Sequence, residues 1–348
     1  MLVFCSESAL SRFKRDEILK DFVSSALVTF EFDFGSNPSL VDLECIASKY
    51  SKKDIKVIVG LGGGSSMDAA KISAISIPAF RSGYNLQNLL DNKEMLGNIS
   101  PITTYQVPTT AGTGSEVTPF ATVWDYDLGI KKSLHHENMY ADTAFVDPDF
   151  LQDVPLNVAL ATGLDALNQA FESIWNVNAS QMSQLYAIKA AQLSLSSLEQ
   201  IDRIENDSAV RQNLATASTF AGVAISQTRT AICHSISYPL TLRFDLPHGL
   251  ACAFSMLAVY KFNESYIIER LSFIDKNIDT IYSSIEKIFD KYNLREILLS
   301  YIESPSEVRS MLPEMIATGR FENNIRSCTD GDLKSIIDAS IKYLLLDR

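Results

Sequence analysis

Short apolar runs rich in β-branched residues punctuate the first 155 residues. Those at 2–5, 26–32, 55–59 and 103–107 read as strands, while 39–49 and 66–76 carry apolar residues at helical spacing. Strands alternating with helices in this way predict parallel βαβ units. The run at 120–124, followed by Asp125-Tyr-Asp-Leu-Gly129, predicts a strand and a turn, and 144–146 before Asp147-Pro148 predicts a last strand. From Pro155 onward the pattern changes. Segments 158–175, 180–198, 208–226 and 275–292 place apolar residues at spacings of three, four and seven, and β-branched alternation nearly disappears. The expected architecture is therefore an α/β domain over 1–154 and an all-α domain over 155–348, with the boundary near 148–156, where Asp-Pro and Val-Pro break the chain. No internal repeat and no low-complexity segment interrupts either part.

Composition narrows the classes. With 46% hydrophobic and 21% charged residues over 348 positions, the chain has the make-up of a soluble protein with a large core. Its formal net charge of −12 argues against a nucleic-acid or anionic-membrane partner, which would need a basic stripe. The five cysteines, Cys5, Cys45, Cys233, Cys252 and Cys328, are scattered and lack a CxxC pair, so neither a disulfide framework nor a structural zinc knuckle is expected, and a reducing cytoplasm fits. Residues 1–5 are too short for a signal segment and read as a first buried strand, and no run approaches a membrane span.

Candidate chemistry gathers at three places. Two of the four histidines, His234 and His248, lie in one segment whose Pro and Gly punctuation predicts a helix, a turn and a second helix start. Upstream, Asp165 and Gln169 stand one helical turn apart on the same face. Together these four make a candidate metal site, the ordinary alternative being histidines satisfied within the core. The other two places are glycine loops after strands. In Gly60-Leu-Gly62-Gly63-Gly64-Ser65-Ser66-Met-Asp68, a strand runs through glycines into a helix, an arrangement that lets backbone N–H groups approach a pyrophosphate, although a plain tight turn would use the same residues. Thr109-Thr110-Ala-Gly112-Thr113-Gly114-Ser115 is the second loop, with Thr113 or Ser115 also available to cap the next helix. In open α/β sheets ligands bind beyond the carboxyl ends of the strands, where two such loops can grip one dinucleotide.

With GGGSSMDAAK, PTTAGTGSEVT, ATGLDALNQAFES and the His234/Pro247-His248-Gly249 segment in this order, the chain resembles the iron-containing (group III) alcohol dehydrogenase family over roughly its whole length. The resemblance implies a dehydroquinate-synthase-like fold, with an α/β dinucleotide-binding domain, a helical domain and a divalent metal, Fe2+ or Zn2+, in the cleft between them. It implies NADH or NADPH as cofactor, a small aldehyde or alcohol as substrate and, by the commonest default for such enzymes, a homodimer. By position, the family's metal ligands fall on Asp165, Gln169, His234 and His248. Gln169 departs from the histidine usual there, a neutral, harder donor that leaves the choice of metal open. Tyr238, four residues after His234, stands where a second histidine is common and is the candidate proton relay. The resemblance further implies cofactor contacts from Ser6, Gly62, Gly63, Gly64, Ser65, Asp68, Thr109, Thr110, Thr113, Ser115 and Lys131 or Lys132, leaving His135 and His136 as surface or cleft-edge residues. Ser6 stands where NAD-specific members often carry an Asp. It tolerates a 2′-phosphate while Glu7 next to it opposes one, so use of both cofactors is expected.

A finer resemblance is to the phosphonoacetaldehyde reductase branch, carried by Thr228-Arg229-Thr230, His234-Ser-Ile-Ser-Tyr238-Pro-Leu-Thr241 and Glu172-Ser-Ile-Trp175-Asn. A cation flanked by hydroxyls suits a phosphonate, for which Arg offers planar, charge-assisted donors. On one continuous helix Thr230, His234 and Tyr238 share a face, whereas Arg229 sits roughly 140° round from His234 and must reach back. The ordinary role for Arg229 is an ion pair with an acidic neighbour. Arg243, between the histidines, is the second candidate for the substrate's charge. The expected reaction is reduction of a small anionic aldehyde. Its rivals are a neutral-alcohol dehydrogenase, a dehydroquinate-synthase-type lyase or cyclase, and a nucleotide-binding homologue without catalysis.

Overall fold

Leu2–Phe4 (β1) is fully buried, as a central strand of a parallel sheet must be when helices cover both faces. The structure, a computed structural model, describes residues 1–13, 19–35, 37–317 and 319–345. It divides into two compact units, Met1–Thr110 with Ser115–Phe150, and Ala111–Gly114 with Leu151–Arg348. The short stretch 111–114 groups with the second unit. There a Cβ on Gly114, whose φ is +59°, would stand 2.4 Å from the Cα of Gly222, so only glycine allows that approach.

In the first unit, β1 pairs in parallel with Thr29–Glu31 (β2) on one side and Val57–Gly62 (β3) on the other. Thr103–Pro108 (β4) pairs with β3, and the last strand of this five-stranded sheet, described below, pairs with β4. Two short helices, Glu7–Phe13 (α1) and Leu19–Val23 (α2), lie between β1 and β2 in sequence. Leu40–Tyr50 (α3) links β2 to β3 and is started by Ser39, whose hydroxyl accepts from the Asp42 N–H. Gly64–Arg81 (α4) and Leu86–Asp91 (α5) follow β3. The β2-β1-β3-β4 order has its switch point between β1 and β3, the position at which open sheets of this kind bind ligands beyond the strands' carboxyl ends.

Phe120–Asp125 (β5) and Ile130–His135 (β6) form a separate antiparallel hairpin. The strand and turn at 120–129 were expected, but β6 was not, because in Ile-Lys-Lys-Ser-Leu-His only Leu134 is buried and two lysines interrupt the apolar alternation. Lys132 pairs with Asp125 across the hairpin at 2.9 Å, and its hydrogen bond holds that carboxyl below the usual range. Thr143–Ala144 (β7) closes the edge of the parallel sheet.

A buried cation fastens this unit. Lys71, 1% exposed on α4, donates to the carbonyls of Ser115 (2.8 Å), Thr118 (3.2 Å) and Phe120 (2.6 Å), with Asp68 3.6 Å away. Burial pushes its pKa down, and Asp68 and Glu116 push the other way.

The second unit is helical. Leu156–Ile174 (α6) is buried along most of its length and packs on Gln181–Leu198 (α7), Ser208–Thr228 (α8) and His248–Leu271 (α10). Ile232–Phe244 (α9) precedes α10, with an αL residue, Asp245, ending it. The helix, turn and second helix start expected around the two histidines are therefore present. Where α10 begins, a Cβ on Gly249 would lie 1.8 Å from the Ala161 carbonyl oxygen, so glycine lets α10 and α6 touch backbone to backbone. In this core Phe171 stacks on Trp175 with centroids 5.3 Å apart, and Tyr260 meets both edge-on at 5.9 and 6.3 Å. Ile278–Lys291 (α11), Leu294–Tyr301 (α12), Pro305–Ser310 (α13), Leu312–Ala317 (α14) and Asp330–Leu345 (α15) complete the unit. Among the described residues, no helix is long and apolar enough to cross a membrane.

Replacing Lys71 with Met leaves three buried carbonyls without their donor. The Lys71→Met variant is expected to lose roughly 3 kcal/mol of stability, read as a fall of several degrees in the thermal midpoint by circular dichroism.

Candidate metal and nucleotide sites

Three helices supply the donors. Asp165 and Gln169 stand one turn apart on α6, His234 lies in the first turn of α9, and His248 opens α10. Asp165 Oδ1 faces both imidazoles, at 3.4 Å from His234 Nε2 and 4.0 Å from His248 Nε2. Asp165 and His234 are each 3% exposed, while the His248 side chain is 32% exposed, so the cluster is buried on one side and open at His248. Cys252, one turn after His248 on α10, adds its sulfur at 3.9 Å from His248 Nε2. The four donor atoms lie within 4.8 Å of one another.

Glu172 orients the arrangement from behind. Fully buried on α6, it accepts from the backbone N–H of Ala231 (2.8 Å) and of His234 (3.2 Å), and its Oε2 lies 2.6 Å from His234 Nδ1. In the neutral ring, Nδ1–H donated to this carboxylate leaves the Nε2 lone pair facing Asp165. Burial pulls the His234 pKa down, but its interactions with Cys252, Glu172 and Asp165 outweigh it and hold the ring well above its ordinary value. Burial raises the Cys252 thiol. Gln169 Oε1 is buried with no hydrogen-bond partner among the described residues, while its amide nitrogen donates to the Thr113 carbonyl at 3.4 Å. A carboxylate, two imidazoles, an orphaned amide oxygen and a thiol gathered in one largely buried place suit a divalent cation, whose positive charge would relieve the crowding of acceptors.

Tyr238 follows His234 by one turn and stacks on His248, with centroids 5.7 Å apart and planes 5° apart. The residues expected to meet substrate charge are placed differently from that expectation. Helix α9 starts at Ile232, so Thr230 is not on the His234–Tyr238 face. It is buried ahead of the helix and accepts from Arg320 Nη1 at 3.1 Å through its hydroxyl and from Asn323 Nδ2 at 2.8 Å through its carbonyl. Arg229 is not helical either. It ends α8 with φ 61° and ψ 178°, a conformation that is essentially glycine's, and its side chain is exposed. Arg243, in the last turn of α9, pairs at the surface with Glu307 (3.2 Å) and Glu314 (3.0 Å).

Arg320 was not expected. It opens a short 3-10 turn, Arg320–Asn323, and its guanidinium carbon stands 5.5 Å above the Tyr238 ring. It is half-buried, and no carboxylate pairs with it among the described residues. The sequence held no signal for it, because ninety residues separate it from Thr230. Glu172 and Cys252 had weak signals, at i+7 from Asp165 and i+4 from His248, but buried helical positions of these types are also ordinary core.

In the first unit, Gly62 ends β3, Gly63 is the N-cap of α4, and Gly64 and Ser65 open that helix, so its first N–H groups lie at the carboxyl edge of the sheet. Ser6 lies just past β1, across the switch point, and its hydroxyl accepts from the Ala9 N–H at 3.1 Å. Thr109 and Thr110 follow β4, Thr109 being tied to Gly62 through its N–H. Asp68 is occupied internally, taking Ser115 Oγ at 2.5 Å and the Thr122 N–H at 2.8 Å, so the structure gives it and Ser115 a role in holding the 115–122 segment. Thr113 belongs to the second unit. Lys131 lies on β6 with its ammonium 5.5 Å from the Trp124 ring, and Lys132 is held by Asp125. His135 and His136 are half-buried at the end of the hairpin, His135 stacked on Phe120 and His136 accepting from the Asn138 N–H.

Residues 1–148 match the family described as iron-containing alcohol dehydrogenase, and 159–308 match the C-terminal family of Fe-containing alcohol dehydrogenases. The chain is 38% identical over 208 residues to the 1-propanol dehydrogenase PduQ of Salmonella typhimurium, a match covering 60% of this chain and 52% of that protein. It is 36% identical over 212 residues to the phosphonoacetaldehyde reductase of Streptomyces viridochromogenes, covering 60% and 53% respectively. The matched region thus spans about half the length of these relatives. Among solved structures, an iron-containing alcohol dehydrogenase from Thermotoga maritima superposes with a TM-score of 0.82 at 25% identity, covering 98% of this chain and 91% of that one. A sulfoacetaldehyde reductase from Bifidobacterium kashiwanohense, solved with NAD+, shares the fold at a TM-score of 0.79 and 22% identity, covering 98% and 96%.

The strain at Arg229 has a measurable consequence. Arg229→Gly removes a cost of about 1–3 kcal/mol and adds back about 0.5–1 kcal/mol of chain entropy. A net gain of about 1 kcal/mol, seen as a thermal midpoint higher by about 2–4 °C, is expected.

Proposed function

Because the chain belongs to the iron-containing alcohol dehydrogenase family, we propose that it is a metal-dependent NAD(P)H oxidoreductase that reduces a small anionic aldehyde to its alcohol. The best candidate reaction converts phosphonoacetaldehyde to 2-hydroxyethylphosphonate. Overall, aldehyde, NAD(P)H and a proton give alcohol and NAD(P)+. When bound, the ion supplies Lewis acidity to a carbonyl oxygen and the nicotinamide supplies a hydride to its carbon.

The chain's own residues do the rest. Asp165, His234 and His248 hold the ion, with Gln169 Oε1 as a neutral donor, and Glu172 keeps His234 in the tautomer that presents Nε2. The Gly62–Ser65 turn at the start of α4 receives the dinucleotide's phosphates, and Thr109 and Thr110 line the neighbouring strand end. Tyr238, stacked on His248, is positioned to relay a proton to the product oxygen.

The observation that carries the anionic substrate is Arg320. A half-buried guanidinium without a carboxylate partner among the described residues stands over Tyr238, one ring away from His248, and is aimed by Thr230. Such a cation is strongly attracted to a phosphonate, which its planar donors match. Arg229, strained at the neighbouring helix end, is a second cation for the same group. The similarity to a phosphonoacetaldehyde reductase supports this reading, and the similarity to a 1-propanol dehydrogenase names the competing, neutral substrate class.

A panel of aldehydes assayed for consumption of NADH and NADPH, after reconstitution with Fe2+ or Zn2+, tests the proposal. Arg320→Ala is expected to lower kcat/KM for phosphonoacetaldehyde roughly 10- to 100-fold, and that for propanal by less than about threefold. Equal losses on both would remove the anion argument, and no turnover of any aldehyde would favour a lyase or a non-catalytic binder. On the cofactor side, wild type should use both nicotinamides. Ser6→Asp should shift the NADH/NADPH ratio of kcat/KM toward NADH by about tenfold, through repulsion of the 2′-phosphate.

A further inference from the structure

Cys252 is fully buried, yet it is not placed like an ordinary core cysteine. It follows His248 by one helical turn, so both side chains leave α10 on the same face. Its sulfur is 3.9 Å from His248 Nε2 and within 4.8 Å of the donor atoms of Asp165 and His234. Ligands about 2.0–2.3 Å from one tetrahedral ion stand roughly 3.3–3.7 Å from each other. The separations of 3.4, 3.9 and 4.0 Å across this cluster are therefore close to those of an assembled centre.

We propose that Cys252 is a ligand of the metal, so that Asp165, His234, His248 and Cys252 form a thiolate-containing, zinc-preferring centre. The inference rests on the metal-centre reading above and deepens it. Placement is the physical reason: Cys252 shares the His248 face of α10, and its sulfur already lies among the other donor atoms. On binding, the S–H proton goes to solvent and a sulfur–metal bond forms, while Gln169 contributes at most a neutral oxygen. Sulfur also changes selectivity. Thiolate donors favour Zn2+ over the harder Fe2+.

Cys233 gives an internal control, being equally buried and next to His234 in sequence but outside the donor cluster. The full chain, freed of metal by chelation, is reconstituted with Co2+ and its absorption recorded. The expected result is a sulfur-to-cobalt charge-transfer band in the near ultraviolet, lost in Cys252→Ser and kept in Cys233→Ser. A wild-type protein showing the visible bands of bound Co2+ without the charge-transfer band overturns the proposal while leaving the metal-centre reading intact, and so does a band that persists in Cys252→Ser. Failure of wild type to take up Co2+ overturns both. Should Cys252→Ser not fold, wild type and Cys233→Ser still decide: a charge-transfer band kept in Cys233→Ser supports ligation by Cys252, the cysteine of the donor cluster among the described residues, and its absence overturns it. With equal Zn2+ and Fe2+, an iron excess by elemental analysis overturns the zinc preference.

Discussion

A buried carboxylate has no water to solvate it and must be matched by donors, and Glu172 meets that demand with two backbone N–H groups and one imidazole nitrogen. Those three contacts tie the middle of α6 to the entry of α9. The same bonds set His234 in one tautomer, so its free nitrogen looks back at Asp165, a residue two turns earlier on the helix that carries Glu172. The donor cluster and the packing of these two helices are therefore one arrangement. Gly249 extends it to α10: only without a Cβ can that helix start against the Ala161 carbonyl and bring His248 and Cys252 to the same place.

Lys71 has the corresponding part in the α/β unit. An ammonium enclosed among three carbonyls makes the segment 115–120 an extension of α4, and Asp68 adds the Ser115 and Thr122 contacts. Several residues of the GGGSSMDAAK and PTTAGTGSEVT stretches therefore hold each other, which leaves Gly63–Ser65 at the helix start and Thr110 after β4 as the half-buried groups at the strand ends. A sequence motif can mark a binding site while most of its side chains build the loop and only a few touch the ligand.

The surroundings of Arg229 and Thr230 were the part least legible in the sequence. A continuous helix through residues 229–243 would have placed Arg229 and Thr230 relative to His234 by simple rotation, but the chain leaves α8 at a left-handed residue and re-enters a helix only at Ile232. That break redirects Arg229, converts Thr230 from a helical face to a buried anchor, and makes room for Arg320. The strain at Arg229 is itself informative, since a non-glycine residue persists in such a conformation only where the surrounding contacts hold it there.

The sequence by itself determined the strand–helix alternation of the first unit, the long helices of the second, the turn between the two histidines, and the pairing of Asp165 with Gln169 on one face. All of these are properties of periodicity and local punctuation, which neighbouring residues carry among themselves. It did not determine β6, whose lysines hide a strand stabilised by its partner rather than by its own apolar content. Nor could it place Arg320 over Tyr238, Cys252 beside His248 Nε2 or Glu172 behind His234. Those placements depend on helix packing and on a loop ninety residues away from its contact. Only the folded chain decides them, because distance in space between such residues has no counterpart in their spacing along the sequence.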